Sequence, residues 1–242
     1  MALAGDHVQV LVGGYELTGD VNSVTFEDAR SLLSATTFGD RTENFIAGRR
    51  MVKLTHGGYL NTTSAQSHPV LNGVAVDGSV SVLLGQNADP AVGDPTYSMA
   101  IRQEIYSVRP EVNQTIPFEA SFTNRGLVGG WGVLLTPPIT ITNSTSGSNV
   151  DNNAATSNGG AAYLHIIQAA ASDTYTVILE GSATGSFSGE QSTLATFTLD
   201  ASARDSERQS ISGTIPRYVR YNATRSGSAG DSVSLALSLV RF

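Results

Sequence analysis

Cysteine is absent from the 242 residues, which excludes disulfides, thiolate metal sites and cysteine nucleophiles together. Charge is scarce as well. Asp, Glu, Lys and Arg make up 14% of the chain, against roughly 25% in an average soluble protein. Lys53 is the only lysine, and the net charge is −7. A protein that grips nucleic acid by neutralising phosphates needs the opposite balance. No apolar run approaches the ~18 residues of a membrane-crossing helix, and Met1–His7 lacks a basic segment followed by an apolar core. Neither membrane insertion nor a secretory leader is expected, and the chain reads as one made and folded in a cytoplasm.

What the chain has instead is hydroxyl and glycine. Ser and Thr number 52 and Gly 25, beside a hydrophobic fraction of 40% that suffices for a packed core. Period-two alternation dominates. At the C-terminus Val233, Leu235, Leu237 and Leu239 alternate with Ser234, Ala236, Ser238 and Val240, which predicts a strand with an apolar face and a small or hydroxylated one. Tyr175–Leu179 and Tyr97–Ile101 alternate likewise. Further strands are expected at His7–Val12, Glu16–Phe26, Met51–Leu60, Val70–Leu84, Thr115–Phe122, Gly132–Thr142, Ala161–Ala169, Ser192–Leu199 and Arg208–Tyr221. Turns are expected at Gly13-Gly14, Gly57-Gly58, Asp77-Gly78 and Pro137-Pro138. About a dozen strands at this spacing predict an all-β sandwich or barrel with at most one or two short helices, the best helix candidate being Glu27–Ser34.

Two stretches differ from the rest. Residues 143–160 hold Val150 as their one large apolar side chain and read as a flexible loop or linker, dividing a β region at 1–142 from one at 161–242. The latter either completes the same domain or forms a second β module. Residues 26–50 carry four acidic and four basic side chains together with Phe38, Phe45 and Ile46. Balanced charge mixed with aromatics is more than a solvated spacer needs.

Catalytic and cofactor patterns are missing. The four histidines, His7, His56, His68 and His165, are never spaced i, i+4, the spacing that lets two imidazoles share a metal on a helix. No Gly-Lys-Ser/Thr occurs, and Gly181-Ser-Ala-Thr-Gly185 has Ala183 where a nucleophile would stand. The reading is non-enzymatic, without cofactor or metal. Trp131, in Gly129-Gly-Trp-Gly132, is either a sugar-stacking platform or a core or hairpin tryptophan, and the second is favoured.

The segments Asp20-Val-Asn-Ser-Val24, Ala35-Thr-Thr-Phe-Gly-Asp40, Glu43-Asn-Phe-Ile-Ala-Gly48 and Gly57-Gly-Tyr-Leu-Asn61, in that order, resemble the tail tube (major tail) proteins of long-tailed bacteriophages. Ile215-Pro-Arg-Tyr-Val-Arg220 and the closing Val240-Arg-Phe242 are similar to the C-terminal strands of that family. The resemblance implies a virion tail protein whose rings, commonly hexameric, stack into a tube for genome ejection; were both halves of the chain tube modules, a trimer would build a pseudo-hexamer. It implies tape-measure and terminator proteins as partners, and passing DNA as a transient one. Each subunit would contribute strands to an inter-subunit β-barrel. About 24 strands at ~4.8 Å spacing and ~40° tilt enclose a bore near ~38 Å after side chains, enough for a duplex.

On this reading 26–50 is an inter-ring loop. Phe38, Phe45 and Ile46 make apolar contact while Asp40, Arg41, Glu43, Arg49 and Arg50 pair across the rim. Glu16, Asp20 and Glu104 are candidates to face the bore and repel phosphate. A weak echo between Ala35-Thr-Thr-Phe38 and Ala195-Thr-Phe197 raises internal duplication. The alternatives are a capsid decoration or tail fibre β-domain, and, further off, a carbohydrate-binding sandwich using Trp131.

Overall fold

A computed structural model describes residues 5–73, 77–86, 88–126, 129–199 and 201–242. The stretch before Gly5, residues 74–76 of the expected strand Val70–Leu84, and residues 127–128 beside Trp131 lie outside the described residues. A 3-10 turn at Gly5–His7 leads into β1 (Val8–Val12), β2 (Tyr15–Glu16), β3 (Val21–Ser34) and β4 (Phe45–Tyr59). After α1 (Ser67–Leu71) come β5 (Asp77–Leu84), β6 (Pro95–Val108), β7 (Pro117–Asn124), β8 (Gly130–Ile141), β9 (Thr145–Ser146) and β10 (Val150–Asp151). The chain closes with β11 (Gly160–Gln168), β12 (Thr174–Ser182), β13 (Ser192–Thr196), β14 (Asp205–Ile211), β15 (Tyr218–Ser226) and β16 (Val233–Arg241). The protein is all-β, and its described strand pairings are antiparallel.

Strand β6 organises the larger, 11-stranded sheet. One of its edges pairs β5. The other is shared: Pro95–Ser98 pair with β8, and Ile101–Val108 pair with β7. From that edge one arm of the sheet runs β7-β4-β3 and the other β8-β16-β11-β14. Both neighbours must leave β6 within a few residues, and Gly129, just before β8, lies hard against it. A Cβ at Gly129 would lie 2.1 Å from the Cβ of Met99, which is why glycine stands there.

The branching produces successive layers. On one side β4 and β7 fold over β1, β5 and β6, enclosing a core of Val10, Val82, Leu54, Met99, Ile101 and Phe122. On the other, β8, β11 and β16 pack against the second sheet, β10-β15-β12-β13, around Leu164, Tyr175, Leu179, Leu235, Leu237 and Leu239. Each leucine there stabilises the fold by roughly 2 kcal/mol through removal from water. Between these cores the two halves of the main sheet meet face to face through Leu11, Leu83, Leu134 and Ala236. Gly14, in the two-residue β1–β2 turn, presses on the far half. A Cβ there would sit 2.3 Å from the Asp205 nitrogen and 2.6 Å from the Ile166 carbonyl oxygen.

Several expectations are corrected. Glu27–Ser34 is not a helix but the outer part of β3, paired with β4 down to Ser34↔Phe45; a lone eight-residue helix is marginal, whereas the ladder satisfies every second backbone group. Residues 26–50 are mostly strand, with a turn at 35–44. Residues 143–160 are not a free linker. β9 and β10 pair with β15, Thr156 bridges to Ile215, and Asn149 Nδ2 donates to the Gly185 carbonyl at 2.7 Å. Asp77-Gly78 lies inside β5, and Pro137-Pro138 inside β8 at a register shift opposite Leu235–Leu237, where missing N–H donors are tolerated. The small face of β16 does not meet water: Ala236, Ser238 and Val240 are as buried as the leucines. Ala35–Phe38 occupies an exposed turn while Ala195–Phe197 runs out of β13 into a buried site, so the sequence echo has no structural counterpart.

Candidate assembly interface

Only the inner part of the β3–β4 hairpin belongs to the body. In β4 the buried residues alternate Val52, Leu54, His56, and β7 joins at Lys53. In β3, Val21, Val24 and Phe26 pack partly against the same core. Beyond Phe26 and Met51 neither strand has a third neighbour, and both faces are exposed. The outer edge of β3 is unpaired along its length among the described residues. A two-stranded arm therefore stands off the body with free N–H and C=O groups on one side.

The arm is apolar where an isolated arm should be polar. Leu32, Leu33, Phe45 and Ile46 are each about half exposed or more, and Phe38 at the tip is fully exposed. Leu33 lies opposite Ile46 and Ser34 opposite Phe45, so the cross-strand pairs form small apolar patches on the ribbon.

The tip is internally braced. The Asp40 carboxylate accepts from the Thr37 N–H at 2.6 Å and its hydroxyl at 3.0 Å, bonds that hold the carboxyl below its ordinary range. The Thr36 hydroxyl accepts from the Asn44 N–H at 2.9 Å, and the Ala35 N–H donates to the Asn44 carbonyl. A tip held this way loses little conformational entropy on meeting a partner.

The structure sorts the expected rim residues. Phe38, Phe45 and Ile46 share the arm and are exposed, as are Arg41, Glu43 and Arg49. Asp40 is spent on its own turn. Arg50 is committed within the chain, its Nε donating to Asp28 Oδ1 at 2.6 Å in a two-pronged contact that also lowers the Asp28 carboxyl. Leu32 and Leu33, within the segment expected as a helix, join the arm; their adjacency fits a ribbon exposed on both sides.

The acidic candidates do not form a bare negative wall. Asp20 is buried: its carboxylate accepts from Asn61 Nδ2 at 2.9 Å and from the Ser67 N–H at 2.8 Å, capping α1 from outside. Glu104 pairs with Lys53 at 3.2 Å. Glu16, half-buried in β2, accepts from the Thr18 hydroxyl.

Trp131 is neither core nor free platform. It is 57% exposed on β8, edge-on to Tyr97 with ring centres 5.2 Å apart, and 5.6 Å from Phe26. Burial pushes the Tyr97 phenol up to about 12. A cavity of about 290 Å³ opens nearby between β3 and β1–β5, walled by Val10, Val21, Val24, Phe26, Val82 and Leu84.

No three His, Asp or Glu side chains cluster as a metal site requires among the described residues, and no helix is long and apolar enough to cross a membrane. A Ser–His contact exists that sequence spacing hid. His165 Nε2 lies 2.8 Å from the Ser81 hydroxyl, but both residues are sealed from solvent and Nδ1 faces the Gly13 carbonyl rather than a carboxylate. A nucleophile needs substrate access and an oriented base, and this pair has no opening.

No protein-family model and no curated protein matches the sequence. The fold is similar to several solved structures. A chain of the native gene transfer agent virion is 10% identical, with a TM-score of 0.42 over 54% of this chain and 98% of that one. A chain from the tail of the empty gene transfer agent particle, refined with C6 symmetry, is 12% identical, with a TM-score of 0.39 over 52% and 96%. The Dit protein of phage SPP1, described as a hub adsorption apparatus, is 12% identical, with a TM-score of 0.35 over 97% of this chain and 99% of that one.

Proposed function

We infer that the protein is a structural component of a virion tail, that copies of it close into rings, and that the rings stack through the β3–β4 arm into a conduit for DNA. The observation that carries this reading is the arm itself. Two of the segments resembling the tail tube family, Ala35–Asp40 and Glu43–Gly48, fall on a two-stranded ribbon that exposes Leu32, Leu33, Phe38, Phe45 and Ile46 and leaves one strand edge unpaired. In a lone chain both features cost free energy and invite indiscriminate pairing; in stacked rings the apolar side chains of each arm are covered by the adjacent ring, and closure of each ring pairs the free edges. Weak charge suits passage of DNA without capture. The role is non-enzymatic, and the protein resides in the virion tail.

Electron microscopy of the purified protein tests the reading directly: rings or tubes are expected. The double variant Leu33→Asp, Ile46→Asp places two carboxylates opposite each other on the exposed arm, so the body folds as before and assembly is lost. Wild-type protein that stays monomeric at high concentration, or a double variant that still makes full-length tubes, sinks the idea.

A second reading rests on the second sheet. β10, β12, β13 and β15 build their own core against β8, β11 and β16, which gives the chain more bulk than a tube wall needs. Such a subunit fits a single hub ring at the end of a tail. Isolated rings with outward lobes and no stacking would favour it over the tube.

A further inference from the structure

Where the two halves of the main sheet meet, four strands and a turn contribute to one buried hydrogen-bond chain. His165 on β11 places Nδ1 at 2.6 Å from the Gly13 carbonyl oxygen and Nε2 at 2.8 Å from the Ser81 hydroxyl on β5. The Ser81 hydroxyl lies 2.7 Å from that of Ser98 on β6, which lies 2.8 Å from that of Ser238 on β16. None of His165, Ser81, Ser98 and Ser238 is more than 1% exposed. The Thr96 hydroxyl, at the edge of the group, donates to the Val82 carbonyl.

The direction of every hydrogen in the chain follows from its ends. A carbonyl only accepts, so Nδ1 carries the proton and donates to Gly13. In the neutral ring Nε2 then accepts, and Ser81 donates to it. Having spent its hydrogen, Ser81 accepts from Ser98, and Ser98 in turn from Ser238. All hydrogens point from β16 through β6 and β5 to β11 and the β1–β2 turn.

A proton on Nε2 turns that nitrogen into a donor. Ser81 must then accept, its hydrogen turns to Ser98, and Ser98 either displaces the hydrogen of Ser238 or falls back on the Thr96 hydroxyl, 3.5 Å away at the limit of a hydrogen bond. In a sealed layer each unmatched donor costs ~1–3 kcal/mol, and the added charge costs more.

Charged groups on the surrounding elements do not offset this. On β14, Glu207 is held by Thr198 and Leu199, Arg208 by Tyr163 and Ser210, and Asp205 pairs in register with Ile166. Arg204 stacks over Tyr15, Asp77 is held by Arg102 and Arg125, and Glu104 by Lys53. β1 carries no charged residue, Glu16 on β2 is held by Thr18, and Arg241 of β16 reaches the Asn152 and Ala154 carbonyls. Both imidazole nitrogens have neutral partners.

We propose that the Ser238–Ser98–Ser81–His165–Gly13 chain is an acid-operated latch between the two sheet halves. It is closed while the imidazole is neutral; a proton on His165 keeps both of its hydrogen bonds but reverses the serines and buries an uncompensated charge, which is relieved only by parting β11 from β5 and the β1–β2 turn. Burial without an acidic partner holds the imidazole down to about 4, so the latch is shut at neutral pH and works only in acid.

Nitrogen NMR of the histidine side chains tests the closed state in the wild-type protein, where four histidines make the spectrum tractable. His165 is expected as the Nδ1–H tautomer at pH 7; an Nε2–H tautomer overturns the proposal. Hydrogen exchange at pH 7 and pH 4.5, corrected for intrinsic rates, tests the opening. Amides of β1, β5 and β11 are expected to lose at least tenfold more protection than those of β12 and β15. In His165→Gln, which keeps a neutral polar side chain, that step should vanish; the same step in the variant overturns the latch. Should the variant not fold, the wild-type order of opening decides: β12 and β15 opening in acid before β1, β5 and β11 contradicts it.

Discussion

His56 is the sharpest single-residue feature apart from the latch. It sits inside the first core with both ring nitrogens unpartnered, edge-on to Phe118 and Phe122. Burial pushes its imidazole down to about 4 from 6.5. The unfolded chain therefore binds the proton more readily, so the stability this neutral histidine permits is full above pH 6.5 and lost as pH falls toward 4. At pH 5 the loss from His56 is about 2 kcal/mol. In His56→Met, urea melts at pH 7 and pH 5 should show a drop smaller by about that amount; an unchanged drop would mean the ring is not buried neutral. Carboxylates can be ranked in the same way. Asp173 is buried and receives Arg225 together with the backbone N–H groups of Ala229, Gly230 and Asp231. Burial alone would raise its carboxyl, and these donors outweigh it. Asp151 meets Arg217 in the open. Asp173→Ala should depress the melting temperature well beyond Asp151→Ala, and equal shifts would refute the ranking.

At the scale of elements, alternation was legible wherever one face of a strand meets a core, because period two then writes the burial into the sequence. β12 is of that kind along its first half, and the apolar faces of β6 and β16 alternate with smaller side chains for the same reason. The arm is not: exposed on both faces, it has no alternation to read, and Glu27–Ser34 has helix-compatible residues whose strand partner lies beyond a turn. The second face of β16 was unreadable for another reason. Ala236 and Ser238 suit either water or a close sheet-to-sheet approach, and only the fold decides. That gives a test. Ser238→Leu should destabilise by about 1–3 kcal/mol through overpacking between the sheet halves, whereas Ser34→Leu on the arm should leave unfolding unchanged. A neutral Ser238→Leu in denaturant titration would place that face in water after all. The rim residues split along the same line. Phe38, Phe45 and Ile46 stood out as apolar side chains in a charged stretch. Arg50 and Asp20 were misread because their partners, Asp28, Asn61 and Ser67, are brought to them only by folding.

For the whole molecule, the two outer cores share the middle layer, so neither half has a complete interior alone. Calorimetry at pH 7 should show one cooperative transition; two resolved peaks would mean the halves are independent. No residue of the arm takes part in either core cluster beyond Phe26 and Val52. The Leu33→Asp, Ile46→Asp variant should therefore melt, as a dilute single chain, at the wild-type temperature.

The shared edge of β6 has a consequence for descent. Because the arm hangs from one end of that strand and the second sandwich from the other, a lineage can exchange its distal cargo while the joining limb stays as it was. A grafted lobe has to bring a leucine in the place of Leu134, small side chains and one imidazole to the plane where it docks.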